Sequence, residues 1–224
     1  MRIIAIIPAY HEAARVGAAV ADALAYVDAV VVVDDCSADA SGEVALQAGA
    51  IVLRHSVNRG QGAALQTGTD YALRHLQPEV IVHFDADGQM QGQDIATLVA
   101  PILADEADIV IGSRFLGTKA LNMPLFRRLV LGAGVIFTAL VSGIKVTDSQ
   151  NGFRALSRQT AMDLRISLDR MAHASEILDL IKAKGLRFQE RPVTIKYSEE
   201  TLDKSPSTWR AFGIARDLIK KKLV

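Results

Sequence analysis

The chain carries a single cysteine, Cys36, among its 224 residues. One thiol excludes an internal disulfide framework and suits a reducing compartment. No histidine is recognisably paired with it in sequence, so nothing marks Cys36 as a catalytic nucleophile. Net charge is absent too: 25 basic residues cancel 25 acidic ones, so no global field draws the protein toward nucleic acid. The sequence also lacks linkers, low-complexity stretches and internal repeats, and a single domain over residues 1–224 follows. Nor is there an apolar run that spans a bilayer. The candidate, Leu129–Ile144, has 16 residues and contains Gly132, Gly134 and Ser142, whereas a spanning helix needs about 20. The apolar opening Met1–Pro8 is broken by Pro8, His11 and Glu12, too early for a secretory signal core. It reads as a first strand.

Half of the residues are apolar, enough to bury one substantial core. Strand-like and helix-like runs alternate, the pattern of βαβ units on a parallel sheet. The expected order is strand Ile3–Ile7, helix near Glu12–Ala25, strand Ala29–Val33, helix near Ala40–Ala48 and strand Ile51–Leu53. Helix Gly62–Leu76, a strand ending at Asp85, helix Asp94–Ala104 and strand Asp108–Ile111 follow.

The most informative feature is Asp85-Ala86-Asp87-Gly88-Gln89, directly after the apolar run Val80–Phe84. That run is short, β-branched and aromatic without alternation, as in a strand buried on both faces. In open α/β sheets ligands bind just beyond the carboxyl ends of such strands. In extended chain Asp85, Asp87 and Gln89 would share one face and offer three oxygen ligands. Mg²⁺ or Mn²⁺ favours carboxylates supplemented by water and substrate phosphate. The same residues also suit a solvated Asp-Gly turn.

Six motifs occur in order: Ile6-Ile7-Pro8-Ala9-Tyr10-His11-Glu12, Val33-Asp34-Asp35-Cys36-Ser37, Asn58-Arg59-Gly60-Gln61-Gly62, Asp85-Ala86-Asp87-Gly88-Gln89, Gly112-Ser113-Arg114-Phe115 and Asp148-Ser149-Gln150-Asn151-Gly152-Phe153-Arg154. Together they resemble the family 2 glycosyltransferases, and within them the dolichyl- or polyprenyl-phosphate mannosyl- and glucosyltransferase branch. The resemblance implies a single α/β domain of the GT-A type, a Rossmann-like, mostly parallel sheet with helices on both faces and a small acceptor-side region. Residues 1–115 would form the nucleotide-sugar half, 116–205 the acceptor half, and 207–224 a basic amphipathic C-terminal helix.

The activity implied is inverting, metal-dependent transfer of a hexose from a GDP-mannose or UDP-glucose type donor to a polyprenyl phosphate. The resemblance assigns the donor nucleotide to Pro8, Ala9, Tyr10, Glu12, Asp34, Asp35, Gly62 and Asp85. It assigns Mg²⁺ or Mn²⁺ to Asp85, Asp87 and Gln89, and the acceptor phosphate to Arg114, Arg128, Arg154 and Lys204. Asp87, Arg114 and Asp148 would carry catalysis. Guanidinium suits the acceptor role because it grips phosphate with two parallel donors and keeps its charge. Gln61 stands where family members often have lysine. Asp148 is either a general base for a hydroxyl acceptor or an orienting group, because a phosphate acceptor is already anionic and needs no base. A soluble saccharide acceptor is the alternative, and a non-catalytic nucleotide-sugar-binding protein a further one.

Two segments bear on location. Pro124–Ile144, with Arg127 and Arg128, either packs into the core or lies on a membrane surface. The C-terminal stretch holds Arg210, Arg216, Lys220, Lys221 and Lys222 against Asp217, a solvated helix end or a dock for anionic lipid. The expected location is cytoplasmic and peripheral, at the inner membrane face, with a small membrane protein as a possible partner.

Overall fold

The computed structural model describes residues 1–116, 144, 146–148, 151–166 and 173–196. Most of the Pro124–Ile144 segment, the 207–224 segment, Arg128 and Lys204 lie outside the described residues.

Among the described residues seven strands form one sheet: β1 (Ile3–Ala9), β2 (Ala29–Asp34), β3 (Ile51–Arg54), β4 (Val80–His83), β5 (Ile109–Ser113), β6 (Arg154–Ser157) and β7 (Phe188–Pro192). Their spatial order is β3-β2-β1-β4-β6-β5-β7. All neighbouring pairs are parallel except those of β6, which runs antiparallel to both β4 and β5. The order reverses next to β1 and β4, where such sheets open a crevice at their carboxyl ends.

Alternation along each strand feeds two cores. Ala5 and Ile7 of β1, Val30 and Val32 of β2, and Val82 of β4 pack with α1 (Val16–Leu24) and with α4, Ile95–Leu103. Ile4, Ile6, Val31 and Ile81 face the other way. There they pack with Leu65 of α3 (Gln61–Tyr71), with Ala161 of α5 (Arg158–Asp163) and with Ile177, Leu178 and Ile181 of α6, His173–Lys184. A further helix, α2 (Ser41–Gln47), leads into β3. Burial on both faces is why the strands read as unbroken apolar runs.

Small residues bring α3 close to the sheet. A methyl group added at Gly68 would stand 2.4 Å from Cγ2 of Ile6 and 3.2 Å from Cγ2 of Val33. Neither neighbour is exposed, so Gly68→Ala forces an overpacked core. We expect a loss of roughly 1–3 kcal/mol of stability, read as a lower urea midpoint at unchanged slope.

Three expectations shift at their edges. Strand β4 ends at His83, before the carboxylates rather than at Asp85. The helix expected over Gly62–Leu76 closes with a π-helical turn, Ala72–Leu76, ending at left-handed Gln77. Strands β6 and β7 add to the expected set; one begins inside a motif and the other is rich in polar residues, so neither reads as a strand in sequence.

Candidate active site

The carboxyl ends of β1, β2 and β4 and the start of α3 surround the crevice. At β1, Pro8 and Ala9 are still strand, Ala9 is buried, and Tyr10 is 50% exposed with its ring edge-on to His11 at 4.2 Å. His11 has φ of 57° and Cys36, just past β2, has φ of 65°. Left-handed backbone at non-glycine residues stores strain of order 1–3 kcal/mol and persists only where surrounding contacts enforce it. Those contacts are visible: the His11 N–H donates to Ser37 Oγ (3.1 Å) and the Glu12 N–H to Ser41 Oγ (2.8 Å). The Glu12 carboxylate accepts from Arg15 Nε at 2.7 Å.

The acidic pair at the end of β2 bonds mainly within the protein. Asp34 is fully buried, accepts the Ser37 N–H at 2.9 Å and lies 3.5 Å from Arg54 Nε. Asp35 accepts the N–H groups of Arg59 (2.9 Å) and Gly60 (2.6 Å) and contacts His55 Nδ1 at 2.7 Å. The far nitrogen of His55, Nε2, lies 3.0 Å from Thr67 Oγ1 of α3. Burial pushes the Asp35 carboxyl up, but the donors from Arg59, His55 and Gly60 more than offset it and hold it below its ordinary value. This pair shapes the Arg59–Gly60 loop ahead of α3, where Gly60 takes φ of 92°. Gly62 is buried in the first turn that follows.

Strand β4 ends at His83 and Asp87 lies in a turn that Asp85 immediately precedes, so strand alternation is not what brings the two together. The turn is closed by the Gln89 N–H donating to Asp87 Oδ1 (3.0 Å) and by Gly88 at φ of 75°. The contact of Gln89 with Asp87 is thus a turn-forming backbone bond. The turn is not a solvated one, since both carboxylates are partly buried. Asp85 accepts from Gln61 Nε2 at 3.0 Å. Burial first, and then the charge of Asp87, pushes the Asp85 carboxyl up to about 7, against the pull of Arg154, Arg114 and the Gln61 hydrogen bond. Phe84 locks the turn edge-on against Phe153, centroids 5.3 Å apart. A methyl at Gly152 would stand 2.9 Å from Asp85 Oδ2, so glycine leaves the flank of that oxygen clear.

This donor set fits a divalent cation. Two carboxylates raise one another's energy until positive charge arrives, and the glycine keeps room beside one of them. Among the described residues no cluster of three or more His, Cys, Asp or Glu side chains forms a closed cage. An open site completed by phosphate oxygens and water is the arrangement Mg²⁺ favours.

Opposite, Arg114 follows β5 and meets Asp148. Asp148 Oδ2 accepts the Arg114 Nε–H at 2.6 Å and its backbone N–H at 3.1 Å, and both side chains are buried. The segment before Asp148 is clamped by Glu190 of β7, whose carboxylate accepts the N–H of Thr147 (2.8 Å), its hydroxyl (2.9 Å) and the N–H of Asp148 (3.3 Å). Thr147 Oγ1 is also 2.6 Å from Ser113 Oγ. Arg154 heads β6, 2% exposed.

The glycosyl transferase family 2 profile matches residues 4–130, a stretch that runs from β1 past the end of β5. The chain belongs to glycosyl transferase family 2. This family 2 glycosyltransferase is 35% identical to the UDP-N-acetylglucosamine–dolichyl-phosphate N-acetylglucosaminyltransferase of Methanococcus voltae, over 77% of this chain and 70% of that protein. It is 32% identical to the undecaprenyl-phosphate mannosyltransferase of Micrococcus luteus, over 84% of this chain and 75% of that one. Among solved structures, glucosyl-3-phosphoglycerate synthase of Mycobacterium tuberculosis in complex with UDP superposes with a TM-score of 0.75. At 19% identity, over 97% of this chain and 77% of the other, that likeness shows the GT-A fold alone. The α/β class, the mostly parallel sheet and the family expected from the motifs are borne out.

Gln61, Glu190, His55 and Gly152 join the site only in three dimensions. In sequence Gln61 stands out solely for the lysine it replaces. His55 and Glu190 act through long-range contacts that carry no local motif, and Gly152 lies in a motif that gives no sign of its approach to Asp85.

Proposed function

We propose that this glycosyltransferase moves a hexose, with inversion, from a nucleoside-diphosphate sugar of the GDP-mannose or UDP-glucose type to a polyprenyl phosphate. The observation that carries the acceptor assignment is the Arg114–Asp148 clasp. A general base needs a lone pair aimed at the substrate, whereas Asp148 Oδ2 already takes two donors from Arg114. We read Asp148, with Oδ2 turned to Arg114, as the group that orients this guanidinium, and an acceptor that needs no base fits that reading. A phosphate monoester is such an acceptor, anionic at neutral pH. The names of the relatives, which act on dolichyl and undecaprenyl phosphate, support the same class.

In this reading Pro8, Ala9, Tyr10, Glu12 and the loop shaped by Asp34, Asp35 and Gly62 seat the nucleotide. Asp85 and Asp87, with Gln89 beside them, hold Mg²⁺ or Mn²⁺. That ion, when bound, neutralises charge developing on the leaving diphosphate. Arg114, assisted by Arg128 and Lys204, fixes the acceptor phosphate so that its oxygen attacks the anomeric carbon opposite the departing nucleotide, while Arg154, buried at the head of β6, supports that grip from behind. Holding the two reactants in line removes much of the entropic barrier. No helix among the described residues is long and apolar enough to cross a membrane. Contact with the inner membrane face is assigned to the 124–144 and 207–224 segments, with a small membrane protein as a candidate partner.

The test is transfer by purified protein. UDP-, GDP- and dTDP-sugars are supplied with short-chain polyprenyl phosphate, with and without Mn²⁺. We expect a lipid-phosphate sugar that forms only with metal. Transfer to soluble saccharides but not to the lipid phosphate would overturn the acceptor assignment, and equal turnover in EDTA would overturn the metal.

A further inference from the structure

We infer that Arg154 is a positioning residue, the buried counter-charge shared by Asp85 and Asp148 that ties the donor carboxylates to the acceptor clasp. Its involvement with the metal rests on the function proposed above; its role in the metal-free protein does not.

Arg154 opens β6, which runs antiparallel to both its neighbours, and lies in register with His83 of β4 and Ile111 of β5. Those two strands lead into Asp85 and Arg114 respectively, so β6 delivers Arg154 between the two halves of the site. The approach is close on the donor side, where Gly152, two residues earlier, borders both oxygens of Asp85. Only 2% of Arg154 is exposed, and its Nη1 has no hydrogen-bond partner among the described residues. Arg114 is different, because its Nε–H and backbone N–H are engaged by Asp148.

A guanidinium removed from water persists only with compensating negative charge. Asp85 and Asp148 supply it, each acting on Arg154 through space. In return Arg154 offsets part of the repulsion between Asp85 and Asp87 before any cation arrives. When a divalent ion binds there, its charge adds to that of Arg154, so the arginine tempers metal affinity while holding the carboxylates in place.

The experiment compares wild type, Arg154→Met, Arg154→Lys, Asp85→Asn and Arg154→Met/Asp85→Asn by thermal unfolding at pH 8, metal-free and across a Mn²⁺ titration. For the metal-free proteins, Arg154→Met should lower the midpoint. Asp85→Asn should raise it more in the Met background than in the wild type, and Arg154→Lys should stay near wild type. Additive effects of the Met and Asn changes, or a Lys variant as unstable as Met, would overturn the counter-charge. With Mn²⁺, the Met variant should bind at least about threefold more tightly than wild type, while the Lys variant binds like wild type. Equal or weaker Mn²⁺ binding by a folded Met variant would overturn the link to the metal. If the Met variant does not fold, recovery by the added Asp85→Asn supports the inference and failure to recover overturns it. Absence of any Mn²⁺ response in the wild type would instead refute the metal in the proposed function, leaving the metal-free comparison to decide the role of Arg154.

Discussion

Asp85→Asn is expected to abolish sugar transfer while making the metal-free protein more stable at pH 8. The stability gain follows from the carboxyl being pushed up to about 7 by burial and by Asp87. A carboxyl raised above its unfolded value of about 3.8 binds its proton more tightly in the folded state. Its contribution to stability is then fully present below about pH 4 and is lost as pH rises through about 7. Wild-type protein should therefore lose stability between pH 5 and pH 8, with this part of the loss absent in the Asn variant, which is neutral throughout. A tenfold change in proton affinity on folding corresponds to about 1.4 kcal/mol, and a domain of this size moves by about 2–4 °C per kcal/mol. A midpoint at least ~3 °C above wild type at pH 8, shrinking toward pH 5, is the expected result. Identical pH profiles for the two proteins would refute it. Transfer should fall by about 10³-fold, because charge stabilisation of the leaving group is worth several kcal/mol. Asp87→Ala should lose metal-dependent transfer too.

That tension between folding and function explains which parts are legible in the sequence. Strands β1 to β5 are short apolar runs set off by the helices between them, and each lies within a few residues of its expected place. The carboxylate pair is legible as chemistry but not as geometry. Alternation along a strand is the expected device, yet β4 stops at His83 and a turn containing left-handed Gly88 presents both groups. Asp34 and Asp35 are expected to face the nucleotide, and the structure adds what the sequence does not show, their bonds to Ser37, Arg54, His55, Arg59 and Gly60.

What escapes the sequence is what depends on distant parts of the chain. Strand β6 has four residues, begins with a charged one, and owes its existence to pairing with both β4 and β5. Glu190 has no motif around it; its role appears only once β7 lies beside β5 and the 147–148 backbone is brought to it. Gln61 shows the same limit from the other side. Sequence marks it as a missing cation, whereas the structure gives it the specific work of donating to Asp85. A neutral donor there leaves more of the compensation of Asp85 to the buried arginines.

The acceptor assignment turns on whether Asp148 takes a proton or holds Arg114, and a double-mutant cycle separates the two. If the pair acts as one unit, Arg114→Ala and Asp148→Asn should each lower kcat/KM for polyprenyl phosphate by about 10²-fold, and the double variant should be little worse than either, since groups acting together are strongly non-additive. The physical reason is the geometry of the clasp. Asp148 is buried with Oδ2 occupied, so removing its charge frees the guanidinium to turn away from the acceptor, and removing the guanidinium leaves Asp148 nothing to orient. Stability should respond in parallel, because stripping one member of a buried ion pair costs about 3–5 kcal/mol; Asp148→Ala is the variant expected to approach that figure. General-base catalysis predicts a different pattern. Asp148→Asn would be inactive with a hydroxyl acceptor while Arg114→Ala retained measurable turnover, and the losses would add in the double variant. Kinetics of the four proteins with lipid phosphate and with a soluble saccharide therefore distinguish an arginine held for phosphate from an aspartate held for a proton.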